Sequence, residues 1–143
     1  MPRQRRDPQL IAAIEDADAR LQRMGIHDQL RVKFRPLADP TWLGQYRSLS
    51  QFRGGPIFWV DPAAHADQPD VRRAIVQTIL HEYGHVIWEY ARLRDPDLYD
   101  RAQTVADEDE EEFAETFALV VYNGAASPAY RGIIQLYARA LAT

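Results

Sequence analysis

From Pro8 to Met24 the apolar residues Leu10, Ile11, Ile14, Ala17, Leu21 and Met24 recur at spacings of three and four. That is the period of one buried helix face, and Gly25 supplies a stop. Leu30-Arg31-Val32-Lys33-Phe34 then alternates apolar and polar, the period of a half-buried strand. Trp42 to Phe52 is mixed, with room for a second strand around Gln45–Leu49. Gly54-Gly55-Pro56 reads as a turn, and Ile57-Phe58-Trp59-Val60 as a short apolar strand closed by Asp61-Pro62.

After this point the period is helical. Asp70 to Arg94 is the longest such segment, with Asp70 as its N-cap and Asp95-Pro96 as its end. A short helix is expected from Pro96 to about Ala102, a long one from Glu108 to Tyr122 ended by Asn123-Gly124, and an amphipathic one from Pro128 to Leu141. The order is helix, two or three strands, then helices alone. The fold class is therefore α+β, with a small N-terminal sheet packed on the Asp70–Arg94 helix and C-terminal helices following.

Composition narrows the chemistry. The 143 residues suit one domain, with residues 1–7 expected to be flexible. The chain has no cysteine, so any metal must be held by His, Asp or Glu. A net charge of -4 argues against a general nucleic-acid binder. No apolar run is long enough for a membrane span, and MPRQRRDPQL has no apolar stretch behind its arginines. The expectation is a protein with no membrane partner, cytoplasmic or exported without a recognisable signal peptide.

The candidate chemistry lies on the longest helix. His81-Glu82-Tyr83-Gly84-His85 has the form H-E-x-x-H. Positions i and i+4 share one helix face, so two imidazoles there reach a single ion. Glu82 lies about 100° around from His81 and about 60° from His85. It flanks the ion as a general base for water and need not be a ligand. The flanks are apolar: Val71, Ile75, Ile79, Val86 and Leu93 share one side, and Val76, Leu80, Tyr83, Ile87 and Ala91 another. A helix buried on most of its circumference puts the polar stripe in a crevice. Gly84, costly by about 1 kcal/mol against Ala in mid-helix, suggests a close backbone approach.

A catalytic zinc site takes three protein ligands and one water. His27 and His65 lie upstream, and no third histidine follows His85. A downstream carboxylate is the natural third ligand. Along the next helix Phe113, Phe117, Val120 and Val121 mark the buried face, with Glu111 and Glu115 one turn apart on its border. Border geometry favours Glu111 as ligand, with Glu115 behind it orienting a ligand histidine through its other ring nitrogen. The alternative makes Glu115 the ligand, backed by Glu111 or Glu108. Two histidines and a carboxylate also suit non-haem iron, but the spacing on one helix with Glu between favours zinc.

Together these pieces resemble the gluzincin branch of zinc metallopeptidases. Glu111-Glu112-Phe113-Ala114-Glu115-Thr116-Phe117 is similar to the E-x-F-A-E-x-F stretch of anthrax lethal factor-type peptidase domains. The resemblance implies a minimal zincin-like fold with one Zn2+ held by His81, His85 and Glu111, Glu82 as general base, and Glu115 supporting the ligands. It covers two short motifs in the C-terminal half. Members of that family carry a transition-state tyrosine seven residues before the ligand Glu, where this chain has Thr104. Tyr99 and Tyr122 are the candidates to replace it. The resemblance also implies that the strand before the active-site helix, here Ile57, Phe58, Trp59 and Val60, is a sheet edge that pairs with extended substrate.

The expected function is a zinc metallopeptidase acting on a peptide or protein, with recognition aided by a partner protein or by the Ala63–Pro69 loop. The competing expectation is a non-catalytic binding module, or pseudoenzyme, that keeps zinc for stability.

Overall fold

Each expected helix is present in the computed structural model, and side-chain caps fix where most of them begin. The structure describes residues 8–27, 30–35, 37, 43–46, 57–124 and 127–142. The terminal residues 1–7 and the expected Gly54-Gly55-Pro56 turn lie outside the described residues, as does the 47–49 part of the expected second strand. Among the described residues no helix is long and apolar enough to cross a membrane.

Helix α1 spans Pro8–Arg23 and is followed by strands β1 (Arg31–Phe34), β2 (Gly44–Tyr46) and β3 (Ile57–Val60). A 3-10 turn at Ala63–His65 leads into α2 (Val71–Arg94), α3 (Pro96–Val105), α4 (Glu110–Asn123) and α5 (Pro128–Ala142). The architecture is α+β, with strands in one N-terminal segment and helices after it.

Asp70 caps α2 by accepting from the Arg73 amide at 3.0 Å. Asp95 ends α2 and caps α3, accepting from the Leu98 amide at 3.1 Å. Helix α4 starts at Glu110, two residues later than the sequence pattern suggests. Asp107 and Glu108 hold left-handed backbone angles (φ 52 and 63), and Asp109 then caps the helix through the Glu112 amide. This late start puts Glu110, Glu111 and Glu112 in the first turn, where the helix dipole favours carboxylates. Gly124 closes α4 in the left-handed conformation that glycine adopts without penalty.

The sheet order is β1-β3-β2, with β1 parallel and β2 antiparallel to β3. This corrects the expectation that Ile57–Val60 is an edge. Strand β3 is paired on both sides, and three of its four residues are buried. A continuous apolar run marks a strand covered on both faces, and Ile57-Phe58-Trp59-Val60 is such a run. Among the described residues the edge beside α2 is β2, and the register turns Gly44 and Tyr46 to the same face as Phe58 and Val60.

Helix α2 runs through the core. Tyr83 is fully buried, stacking on Phe58 of β3 at 5.9 Å and on Phe117 of α4 at 6.2 Å. Leu93, expected in the apolar stripe, is exposed in the last turn of the helix. Gly84 meets α4: a Cβ there would lie 2.8 Å from the Ala114 Cα and 3.2 Å from its Cβ. The two helix backbones approach through this glycine, which sits between the two histidines of the motif. Gly84→Ala forces α2 and α4 apart. The overpacking costs about 1–3 kcal/mol, offset by at most about 1 kcal/mol of helix propensity. The expected net loss is about 1–2 kcal/mol in chemical denaturation. Wild-type stability in this variant would refute the close approach as the reason for the glycine.

Candidate metal centre

Two turns of α2 and the first turn of α4 bring the motif together. His81, His85 and Glu111 each present a ligand atom, and these atoms all lie within 4.8 Å of one another. His81 Nε2 is 3.2 Å from His85 Nε2 and 3.2 Å from Glu111 Oε2, and His85 Nε2 is 2.7 Å from Glu111 Oε1. Zinc bonds of about 2.0–2.1 Å in a tetrahedron place ligand atoms ~3.3 Å apart. Two of the three separations are close to that value, and the third is a hydrogen bond, shorter by about half an ångström. The group can hold a metal ion.

The two rings differ in proton affinity. His81 is held below its ordinary value by burial first and then by the charge of His85, so its ring offers a lone pair. For His85, burial acts against protonation. The Glu110 hydrogen bond and the charges of Glu82, Glu111 and Glu110 outweigh it, so the net shift is upward. Glu110 Oε1 stands 3.5 Å from His85 Nδ1 while Glu111 approaches His85 Nε2. A carboxylate on each ring nitrogen fixes the orientation of the imidazole.

The sequence pattern points to Glu115 for the orienting role, and here the structure differs. Glu115 is exposed on the cleft wall, where its charge raises the proton affinity of His81. The carboxylate at the far nitrogen of a ligand histidine is Glu110, one residue before the ligand. Glu110 and Glu111 are consecutive in the first turn of α4, about 100° apart around the helix.

Glu82 is 8 % exposed and lines the same cleft. Burial, against the opposing charge of His85 and with support from Glu111 and Glu110, pushes its carboxyl up to about 7. A buried carboxyl that titrates near neutrality beside a metal-ligand triad is suited to taking and returning a proton.

The cleft has a volume of about 660 Å³. Leu43 and Gly44 of the β2 side and Ala118 and Leu119 of α4 are among its lining residues. Leu43 and Leu119 are about half exposed, at 48 % and 52 %. The Ala63–Pro69 loop contributes His65 and Gln68 to the lining. His65 is pinned, with Nδ1 donating to the Asp61 carbonyl at 2.6 Å and Nε2 meeting Thr78 Oγ1 at 2.7 Å. It fixes the connection from β3 to α2.

Neither Tyr99 nor Tyr122 is among the residues lining the cleft. Tyr99 packs edge-on against Trp88 at 5.4 Å. Tyr122 lies under the guanidinium groups of Arg20 (3.9 Å) and Arg73 (5.1 Å), and Arg20 also donates to its carbonyl. Both rings are committed to packing: Tyr99 follows α3 onto Trp88, and Tyr122 ties α4 to α1. The tyrosine that meets a ligand is Tyr46 of β2, whose ring lies 5.8 Å from that of His85 at an interplanar angle of 8°. Its hydroxyl donates to Glu89 at 2.7 Å. Neither sequence motif points to Tyr46, because it stands on a three-residue strand far from them in the chain. Its one local signal is its place in the mixed segment that reads as a possible second strand. Gly44 escapes the sequence pattern likewise: a Cβ there would meet Thr78 Cγ2 at 2.6 Å and Glu82 Oε1 at 3.3 Å.

Comparison of the chain with protein-family models, with curated proteins and with solved structures gives no match.

Proposed function

We propose that the chain is a zinc-dependent metallopeptidase in which His81, His85 and Glu111 hold the ion and Glu82 is the general base. The observation that carries this reading is the convergence of the three ligand atoms within 4.8 Å at a cleft that also holds the buried Glu82 carboxyl. The donor set is two imidazoles and a carboxylate, the composition of catalytic zinc sites that keep a fourth position open. The gluzincin resemblance of HEYGH and Glu111–Phe117 supports the same assignment.

Zinc in this site would supply Lewis acidity, making water a nucleophile at neutral pH and polarising the scissile carbonyl. The protein supplies the proton path. Glu82 takes a proton from the attacking water as the C–O bond forms, and returns it to the amine nitrogen as the C–N bond breaks. His81 and His85 keep their rings aimed by contact with Glu111 and Glu110. The β2 edge, whose Gly44 backbone lies against Glu82, offers main-chain groups to an extended peptide by strand addition. This transfers to β2 the substrate role expected of Ile57–Val60.

The test is zinc content by mass spectrometry together with cleavage of a peptide library. One zinc per chain and chelator-sensitive cleavage are expected. A protein that binds zinc tightly yet cleaves nothing would instead support the zinc-stabilised binding module, since the ligands come from two helices and an ion would fasten them. Both readings share one thermodynamic consequence. Above the dissociation constant, each tenfold rise in free zinc adds about 1.4 kcal/mol to folding stability, or ~3–5 °C in Tm for a chain of this length. A Tm unmoved by zinc across several decades of free concentration would refute the metal centre itself.

A further inference from the structure

We propose that Tyr46 is a positioning residue of the metal centre, its ring holding the His85 imidazole in plane while its hydroxyl is anchored on Glu89. This rests on the metal-site reading above and extends it to a residue outside both sequence motifs.

His85 and Glu89 are one turn apart on α2, so they rise above the helix side by side. Tyr46 spans both: its ring is nearly parallel to that of His85, and its hydroxyl reaches Glu89 Oε2 at 2.7 Å. Glu89 is only 6 % exposed and His85 only 8 %. A charge-assisted hydrogen bond to a buried carboxylate is short and directional, and it limits the freedom of the whole tyrosine side chain. The ring of Tyr46 is therefore a fixed wall for His85.

Four groups then surround the His85 imidazole. Glu111 and His81 meet Nε2, Glu110 lies near Nδ1, and the Tyr46 ring is stacked parallel to it. The two carboxylates hold the ring through its nitrogens, and a flat group against its face adds a further restraint on rotation about the Cβ–Cγ bond. Tyr46 supplies that restraint from β2, the strand whose Gly44 packs on Glu82. One three-residue strand thus touches the base at one end and a ligand at the other. Displacement of β2 would disturb ligand geometry as well as any substrate paired with its edge.

The experiment uses the full chain, stripped with a chelator and titrated with Zn2+ against a chromogenic competitor, and separately loaded with Co2+ for its visible spectrum. Loss of a group that orients a ligand typically weakens metal binding about 10–100-fold. Tyr46→Phe keeps the ring and loses the anchor, and is expected to raise the zinc Kd about 3- to 10-fold. Tyr46→Leu loses both and is expected to raise it about 10- to 100-fold, with altered cobalt bands. Far-UV circular dichroism of the metal-free variants should match wild type, and Tyr46→Phe decides the question if Tyr46→Leu fails to fold. A merely structural tie would lower metal-free stability while leaving zinc affinity and the cobalt spectrum unchanged, and that result overturns the proposal. If the wild-type chain binds no zinc, the metal-centre reading fails first; if wild type binds and both variants bind equally well, only the role of Tyr46 fails.

Discussion

Glu82→Gln should retain one zinc per chain and lose peptidase activity by about 10²–10⁴-fold, the usual contribution of a positioned general base. Gln keeps the size and hydrogen-bonding shape of the side chain but cannot accept the proton. The proposed ligand atoms belong to His81, His85 and Glu111, so the substitution leaves the group that can hold the ion intact. The loss should fall on kcat more than on KM, because the proton is transferred only in the transition state. The contrast that gives this result its meaning is Glu111→Gln, which should lose zinc as well as activity. If Glu82→Gln loses zinc too, Glu82 is a ligand or a support of one. If it keeps both zinc and activity, the base lies elsewhere.

The parts of this arrangement visible in the sequence are those whose partners are near in the chain. His81, Glu82 and His85 share one helix, and helical period alone puts the imidazoles on one face. Glu111 is within reach of the same logic, because Phe113 and Phe117 fix which side of α4 turns inward. Glu110 is harder. Its use depends on where α4 begins, and the left-handed pair Asp107-Glu108 shifts that start by two residues. Helix ends are decided by caps and tertiary fit, and a run of acidic residues offers several equivalent starts.

The sheet is legible as strands but not as an order. The family resemblance implies an edge at Ile57–Val60, and the neighbouring Gly55-Pro56 is compatible with one, yet it is the central strand of the described sheet, paired to β1 and β2. Pairing is non-local, and the apolar continuity of the run is a better guide than its flanking prolines. Tyr46 and Gly44 are hidden in the sequence for the same reason. Each acts across a gap in the chain, Tyr46 on His85 and Glu89, Gly44 on Thr78 and Glu82. The close approach at Gly84, by contrast, is readable, since a mid-helix glycine has a cost that only packing explains.

A second large effect is expected in the metal-free protein: Glu82 makes it less stable as pH rises. The folded carboxyl titrates at about 7 against an ordinary 4.5, chiefly because it is buried. Below pH ~4.5 Glu82 is protonated in both folded and unfolded chains and contributes no penalty. Between there and neutrality the unfolded chain has released its proton while the folded one keeps it, so unfolding is favoured increasingly with pH. Above about 7 both are ionised and the full penalty stands. At ~1.4 kcal/mol for each pH unit separating the folded and unfolded values, that penalty is about 3 kcal/mol. Glu82→Gln removes this ionisation without emptying the site. In chelator, the variant should therefore be more stable than wild type by about 3 kcal/mol at pH 8, or ~6–12 °C in Tm, with the gap closing by about pH 4.5. Urea unfolding of both proteins across that range measures it. Parallel pH dependences would mean that Glu82 ionises at little cost in the fold, and would remove the reason for its near-neutral proton affinity. Added zinc should shrink the gap at pH 8, because a cation beside Glu82 favours the ionised form. The group that destabilises the metal-free chain is then the one the proposed chemistry requires.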